Sequence, residues 1–207
     1  SEFKPLSEAG RGLLRGLVDA LKPDVICLQE TKVPDELFPV TVGPELGYPH
    51  IAYRGMKGYN GVAILSRLPM EALDIAPDWC ARGDCRHLAV ALAVPTGPGE
   101  LHNFYVPAGG DVADREKNPK FGHKLDFLAE ATQWFAARPG LARAVLVGDL
   151  NIAPLEHDVW SHKQLLDVIS HTPVETTALN GWRDLCFVDA VRHFVPADQK
   201  LYTWWSY

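Results

Sequence analysis

The apolar run Ala144-Val145-Leu146-Val147 leads without interruption into Gly148-Asp149-Leu150-Asn151-Ile152-Ala153-Pro154. A short apolar run stopped by glycine reads as a buried strand, and such a strand needs other layers of structure to cover it. Asp149 and Asn151 fall two residues apart at its tip, hence on one face of an extended chain. Turn chemistry is one explanation, because Asp and Asn are common turn formers and Pro154 ends a strand. A functional site at the strand tip is the other.

The remaining segments indicate what this strand packs among. Residues 7–21, SEAGRGLLRGLVDAL, place Leu14, Leu17, Val18 and Leu21 on one helical stripe. Pro23-Asp24 stops that helix, and Val25-Ile26-Cys27-Leu28 follows as a buried strand. Residues 61–65, 87–94 and 101–106 read as further strands. Residues 122–138 return to helical period through Leu125, Leu128, Thr132 and Phe135. PTGPGE at 95–100 is a turn, and the Gly-, Asp- and Lys-rich stretch 107–121 is a long loop of the kind that builds sites. Thr172-Pro173-Val174-Glu175 has the form of a capping box and should start a helix. Helices mixed with short buried strands predict an α/β layered domain.

Composition excludes several classes. The chain has 207 residues, 47% of them hydrophobic, so it can bury a core, and one domain spanning 1–207 is expected. No run of 18 apolar residues occurs, so no membrane span is expected. The opening SEFKPLSEAG lacks the apolar segment of a signal peptide. Cys27, Cys80, Cys85 and Cys186 show no C-x-x-C spacing and are expected to be free thiols in a reducing, cytoplasmic compartment. His157, His162 and His171 match neither H-E-x-x-H nor a zinc-finger spacing. The net charge of -6 and pI of about 5.7 argue against nucleic-acid binding by bulk positive charge. Any such contact must come from a local patch. An acidic balance also suits carboxylates that hold a divalent cation.

Three strands end in the same manner. VICLQE ends on Gln29-Glu30, LHNFYVP carries Tyr105, and VLVGDLN carries Asp149 and Asn151. Each has an apolar body and then a residue able to bind a metal or exchange a proton. Together they supply the groups that metal-assisted phosphoryl transfer needs. These are oxygen ligands for a hard cation, a base for the attacking water and donors for phosphate oxygens.

In this order, Gln29-Glu30-Thr31-Lys32, Tyr105-Val106-Pro107 and Gly148-Asp149-Leu150-Asn151-Ile152-Ala153-Pro154 resemble the signature of the exonuclease III family of AP endonucleases. That family belongs to the endonuclease/exonuclease/phosphatase superfamily. PDVICLQETKV, LFPV, LGYPH, GYNGVAILSR and KFGHKLDF also fall in the family's order, so the similarity covers nearly the whole chain. The resemblance implies a four-layered α/β sandwich of the DNase I-like type, with two packed mixed β-sheets flanked by helices and the site at one rim. It implies a Mg²⁺-dependent enzyme, with Mn²⁺ as a substitute, that cuts double-stranded DNA 5′ to abasic sites and trims 3′ ends as a monomer. Glu30 matches the family's metal-binding glutamate, and Asp149 the aspartate that activates water. Asn151 matches the residue that orients that water; Asp149 and Asn151 also belong to the implied metal set. Tyr105 matches the tyrosine beside the scissile phosphate. Tyr59, Arg86, Lys120 and Lys124 align with DNA-facing positions, and Trp204 with an aromatic that lines the pocket for a flipped-out abasic sugar.

Three departures accompany the likeness. The family opens with a strand carrying an asparagine that supports the metal, and that strand is not found in residues 1–207. The family's Asp- and His-bearing segments beyond the Trp-Trp-Ser-Tyr block are not found either, so 1–207 is expected to be incomplete at both ends. Ala108 stands where Asn or Gln is frequent after Tyr-x-Pro. The competing readings are the same fold acting on a lipid, inositol phosphate or RNA, and a relative that binds DNA without cutting it.

Overall fold

The computed structural model describes residues 8–75, 77–138 and 143–204. Ser7 of the expected first helix and Trp205, Ser206 and Tyr207 lie outside them. The chain divides into two compact units. The first comprises Ser1–Asp78, Gly83–Tyr105 and Ala142–Asp149, and the second Trp79–Arg82, Val106–Leu141 and Leu150–Tyr207.

The first unit holds both sheets. Helix α1 (Glu8–Leu21) precedes β1 (Val25–Gln29), and a short α2 (Val42–Glu45) leads to β2 (His50–Met56) and β3 (Tyr59–Ser66). These strands form an antiparallel sheet in the order β1-β3-β2. Strands β4 (Met70–Ala72), β5 (His87–Leu92), β6 (Gly99–Tyr105) and β7 (Ala144–Asp149) form the second sheet in that order. There, β4-β5-β6 pair antiparallel, and β7 joins β6 in parallel. Alternate residues of the two sheets meet in one core: Ala52, Val62 and Ile64 from the first, and Leu88, Val90 and Leu101 from the second. Val18 of α1 is buried with Ile26, Tyr48 and Leu65, so the helix covers the other face of the first sheet. Leu17 and Leu21, expected on that helix's apolar stripe, remain 45% and 70% exposed.

The opening motif needs a correction. Strand β7 is not buried along its whole length: Val147 packs against the inter-sheet core, whereas Val145, on the same face, is 55% exposed. The strands β2 and β4 were not apparent in the sequence. HIAYRGM breaks its apolar alternation at Arg54 and Gly55, and β4 has only three residues.

The second unit is helical: α3 (Pro119–Ala136), α4 (His162–Leu165), α5 (Pro173–Asp184) and α6 (Ala190–Phe194). Helix α3 begins three residues before the expected Gly122, because Asn118 accepts the Lys120 N–H at 3.1 Å and Pro119 takes the first helical position. Helix α5 starts where the sequence indicated, with the Glu175 carboxylate accepting from the Thr172 N–H and hydroxyl. The two long helices meet through Phe135 and Trp182, whose indole N–H donates to Thr132 at 2.9 Å. This explains a polar residue within the apolar stripe of α3. Among the described residues, no helix is long and apolar enough to cross a membrane. All four cysteines are free thiols.

Candidate active site

In the first unit the chain turns sharply after β1. Glu30 and Lys32 both adopt left-handed backbone angles, with φ of 55° and 53°. The turn is tied to the β2–β3 hairpin. Thr31 N–H donates to Gly61 O at 3.3 Å, Lys32 N–H to Asn60 O at 2.8 Å, and Gly58 N–H to Lys32 O at 3.0 Å. Gly61 is needed at this crossing, because a Cβ there would lie 2.2 Å from Thr31 Oγ1. The QETK and GYNG segments are thus halves of one local structure, and it leaves the Glu30 carboxylate exposed.

That carboxylate accepts a hydrogen bond from the Tyr105 hydroxyl at the end of β6. Lys32 Nζ lies 3.5 Å from its other oxygen. The Tyr105 hydrogen bond holds the Glu30 pKa below the usual carboxylate value, helped by Lys32 and opposed by partial desolvation. Burial, reinforced by the Glu30 carboxylate, pushes the Tyr105 pKa above the ordinary phenol value. At neutral pH the pair is therefore an ionised acceptor and a protonated donor.

Asp149, the last residue of β7, faces Tyr105 as its register partner in the parallel β6–β7 ladder and is exposed. Gly148 before it has φ 126°, and a Cβ at that position would lie 2.0 Å from Phe104 O. Only glycine lets β7 approach β6 closely enough to set Asp149 beside Tyr105.

Arg86 corrects an expectation. It is 4% exposed and is not a surface cation awaiting DNA. Its Nε donates to Asp84 at 2.8 Å, Nη2 to the Tyr59 hydroxyl at 2.8 Å and Nη1 to Tyr105 O at 3.4 Å. The guanidinium carbon also lies 5.1 Å from the Tyr59 ring centroid and 5.0 Å from that of Tyr105. Arg86 therefore supports the two tyrosines. Tyr59 is 52% exposed.

Sequence reasoning missed Asn103. It sits on the inner face of β6, fully buried, and its amide donates to Leu28 O and Ala63 O at 3.0 Å each. Its Oδ1 accepts from Gln29 Nε2 at 2.7 Å. One side chain thus joins the two sheets at the residue preceding Glu30. The available signal was an amide in mid-strand, two residues before Tyr105 in LHNFYVP.

In the second unit, Asn151 has φ 51°, a conformation that Asn tolerates better than most residues. Its side-chain amide donates to Val106 O at 2.9 Å. Lys124, expected to face DNA, is fully buried, with its ammonium 2.5 Å from the equally buried Glu175. It cannot reach a phosphate, and that expectation is withdrawn. Lys120 is exposed at the start of α3. Trp204 is half-buried against the cluster of Ala153, Val159 and Leu165.

Comparison with known proteins places this arrangement. The model of the endonuclease/exonuclease/phosphatase family matches residues 6–207. The chain belongs to that family. Among relatives in the endonuclease/exonuclease/phosphatase family, exodeoxyribonuclease III of Haemophilus influenzae is 29% identical over 202 residues, covering 94% of this chain and 74% of the relative. The solved AP endonuclease of Archaeoglobus fulgidus superposes with a TM-score of 0.81 at 28% identity, over 96% of this chain and 74% of that one. A Neisseria 3′ phosphatase bound to a product DNA hairpin gives a TM-score of 0.83 at 27% identity, over 97% and 75% of the respective chains. These neighbours share the two-sheet, helix-flanked fold expected from the sequence.

Proposed function

We propose that this chain is a DNA-repair phosphodiesterase of the exonuclease III type, which cuts the strand 5′ to abasic sites and trims 3′ ends. The observation that carries the reading is the Glu30–Tyr105 pair beside Asp149 at the ends of β1, β6 and β7. The names of the relatives, exodeoxyribonuclease III and AP endonuclease, support the same chemistry. The acting form is taken to be a monomer in a reducing, cytoplasmic setting that keeps the four thiols free.

The donors suit a hard divalent cation. Glu30 and Asp149 are exposed carboxylates, with no soft ligand beside them in the set, and no group of three His, Cys, Asp or Glu forms a closed metal cage among the described residues. Mg²⁺ is held in such open sites by one or two carboxylates, with water and phosphate completing its shell. Glu30 and Asp149 would hold it, and it would supply Lewis-acid stabilisation of charge on the phosphate. Asp149 takes a proton from the attacking water, and Asn151 orients that water. The water oxygen bonds to phosphorus as the bond to the 3′ oxygen breaks, and that oxygen leaves, taking a proton from solvent to become the 3′ hydroxyl. Tyr105 has a single hydroxyl proton, now hydrogen-bonded to Glu30, so a substrate phosphate must compete with Glu30 for that hydrogen bond.

The test is turnover of an abasic-site duplex in Mg²⁺ and in EDTA, beside a 3′-recessed duplex, a 3′-phosphate end and an inositol phosphate. Metal-dependent cleavage of the DNA substrates is expected. Turnover of the inositol phosphate alone would overturn the reading. Glu30→Gln should raise the Mg²⁺ concentration for half activity, and an unchanged titration would place the ligand elsewhere. The Neisseria neighbour favours one second reading, removal of a 3′ phosphate from a DNA end. The 3′-phosphate substrate distinguishes it.

A further inference from the structure

Lys124 and Glu175 are both fully buried and paired at 2.5 Å. Taking two charges out of water is costly, and apolar side chains of similar volume commonly replace a buried ion pair without loss of stability. Stability alone is thus a weak reason for the pair. Its surroundings supply another.

The ammonium has three protons, and the acceptors within its reach include four in this unit. Glu175 lies at 2.5 Å, Asn151 O at 2.7 Å, Ala108 O at 3.2 Å and Ser170 Oγ at 3.4 Å. The two shortest contacts are to the carboxylate and to the carbonyl of Asn151. Glu175 is in turn fixed by Ser170 N–H at 2.9 and 3.0 Å and by the Thr172 hydroxyl at 2.6 Å. The charge pair therefore has no slack. It ties the peptide of Asn151 to the start of α5, and Ala108, three residues after Tyr105, to the same nitrogen. The next peptides are held as well: Ala153 N–H donates to Ser170 O at 2.8 Å, and Ala153 O contacts His171 Nδ1 at 2.7 Å. Gly109 has φ 97°, and a Cβ there would approach Lys124 Cδ to 3.1 Å, so the loop closes tightly on the lysine stem.

We propose that Lys124 is a positioning residue, whose ammonium, oriented by Glu175, holds the left-handed peptide of Asn151 so that its side-chain amide is presented in one orientation. The inference rests on the reading of Asn151 as part of the catalytic site. An apolar side chain could fill the space of Lys124 but could not bond the Asn151 carbonyl. The backbone would then be free to relax from φ 51° and swing the amide away from Val106 O.

The test is the double variant K124M/E175Q, which removes both charges while Gln keeps an acceptor for Ser170 N–H. If it does not fold, K124L/E175Q takes its place. Both kinetics and amide hydrogen exchange by NMR are measured, well below the melting temperature. The expected result is a fall in kcat of about 10²-fold with KM little changed, because misplacement of a positioned group acts on the chemical step. The Asn151 side-chain amide resonances should shift, and exchange at Asn151–Ala153 should quicken by an order of magnitude. A merely structural role would alter the melting temperature and leave these readouts at wild-type values; that result overturns the proposal. So does loosened exchange with unchanged kcat. The variant N151A separates this from failure of the functional reading. Wild-type kcat in N151A removes Asn151 from the site, while the exchange data still decide whether Lys124 holds it.

Discussion

Glu30 and Tyr105 define each other's protonation. The phenol donates to the carboxylate, which keeps the acid ionised and the phenol neutral. In metal-free protein, Tyr105→Phe removes that donor, and the Glu30 pKa should rise towards the ordinary value. The sign follows from linkage. A carboxyl with a depressed folded-state pKa adds stability above its unfolded pKa, and loses that contribution as pH falls through the folded value. Tyr105→Phe should therefore flatten the loss of stability on the acid side. NMR titration of the Glu30 carboxyl checks the shift, and an unmoved titration would assign it to Lys32 instead. Asp149 is tested differently. Replacement by Asn keeps its shape and removes the base, so cleavage should fall by about 10² to 10⁴-fold with DNA still bound. Near-normal cleavage would take Asp149 out of the mechanism.

At the scale of elements, the site depends on two close approaches. One is the crossing of the QETK turn over the GYNG hairpin, where Gly61 admits Thr31. The other is the approach of β7 to β6 at Gly148. A methyl group there would meet a backbone oxygen, which cannot swing aside as a side-chain tip can. Gly148→Ala should cost about 3 kcal/mol or more in urea denaturation, from the clash and from a φ that alanine resists. A loss below about 0.5 kcal/mol, the range of an ordinary surface change, would mean that the strands separate freely at this point. Helix α3 was legible from its apolar period, though not its start at Asn118-Pro119, and α5 from the capping box Thr-Pro-x-Glu, because both signals are local. Strands β2 and β4 were not, because Arg54 and Gly55 interrupt the apolar alternation of β2 and β4 is only three residues long.

At the scale of the whole molecule, the net charge of -6 means that no general attraction brings DNA to the protein. Two of the cations expected to contact DNA are internal, Arg86 on Asp84 and Lys124 on Glu175. On the proposed function, affinity would rest on a local set of exposed cations such as Lys120. The logarithm of the binding constant should then fall with the logarithm of salt with a slope of about -3, equivalent to roughly three phosphates. A slope near -8, typical of a strongly basic binder, would contradict this.

The identities of Glu30, Tyr105, Asp149 and Asn151 as residues at strand ends were readable from the chain itself. An apolar run ending in a polar group is a local pattern, and its order along the sequence needs no folding to be seen. Whether a charge is a contact or a support was not readable. Arg86 and Lys124 carry the same side-chain chemistry as any surface cation, and only burial beside Asp84 and Glu175 turns them inward. Asn103 makes the same point for an amide, since its three partners come from Leu28, Gln29 and Ala63. The physical reason is common to all three: a polar group's role is set by which water it loses and which partner replaces it, and both are decided when distant segments pack.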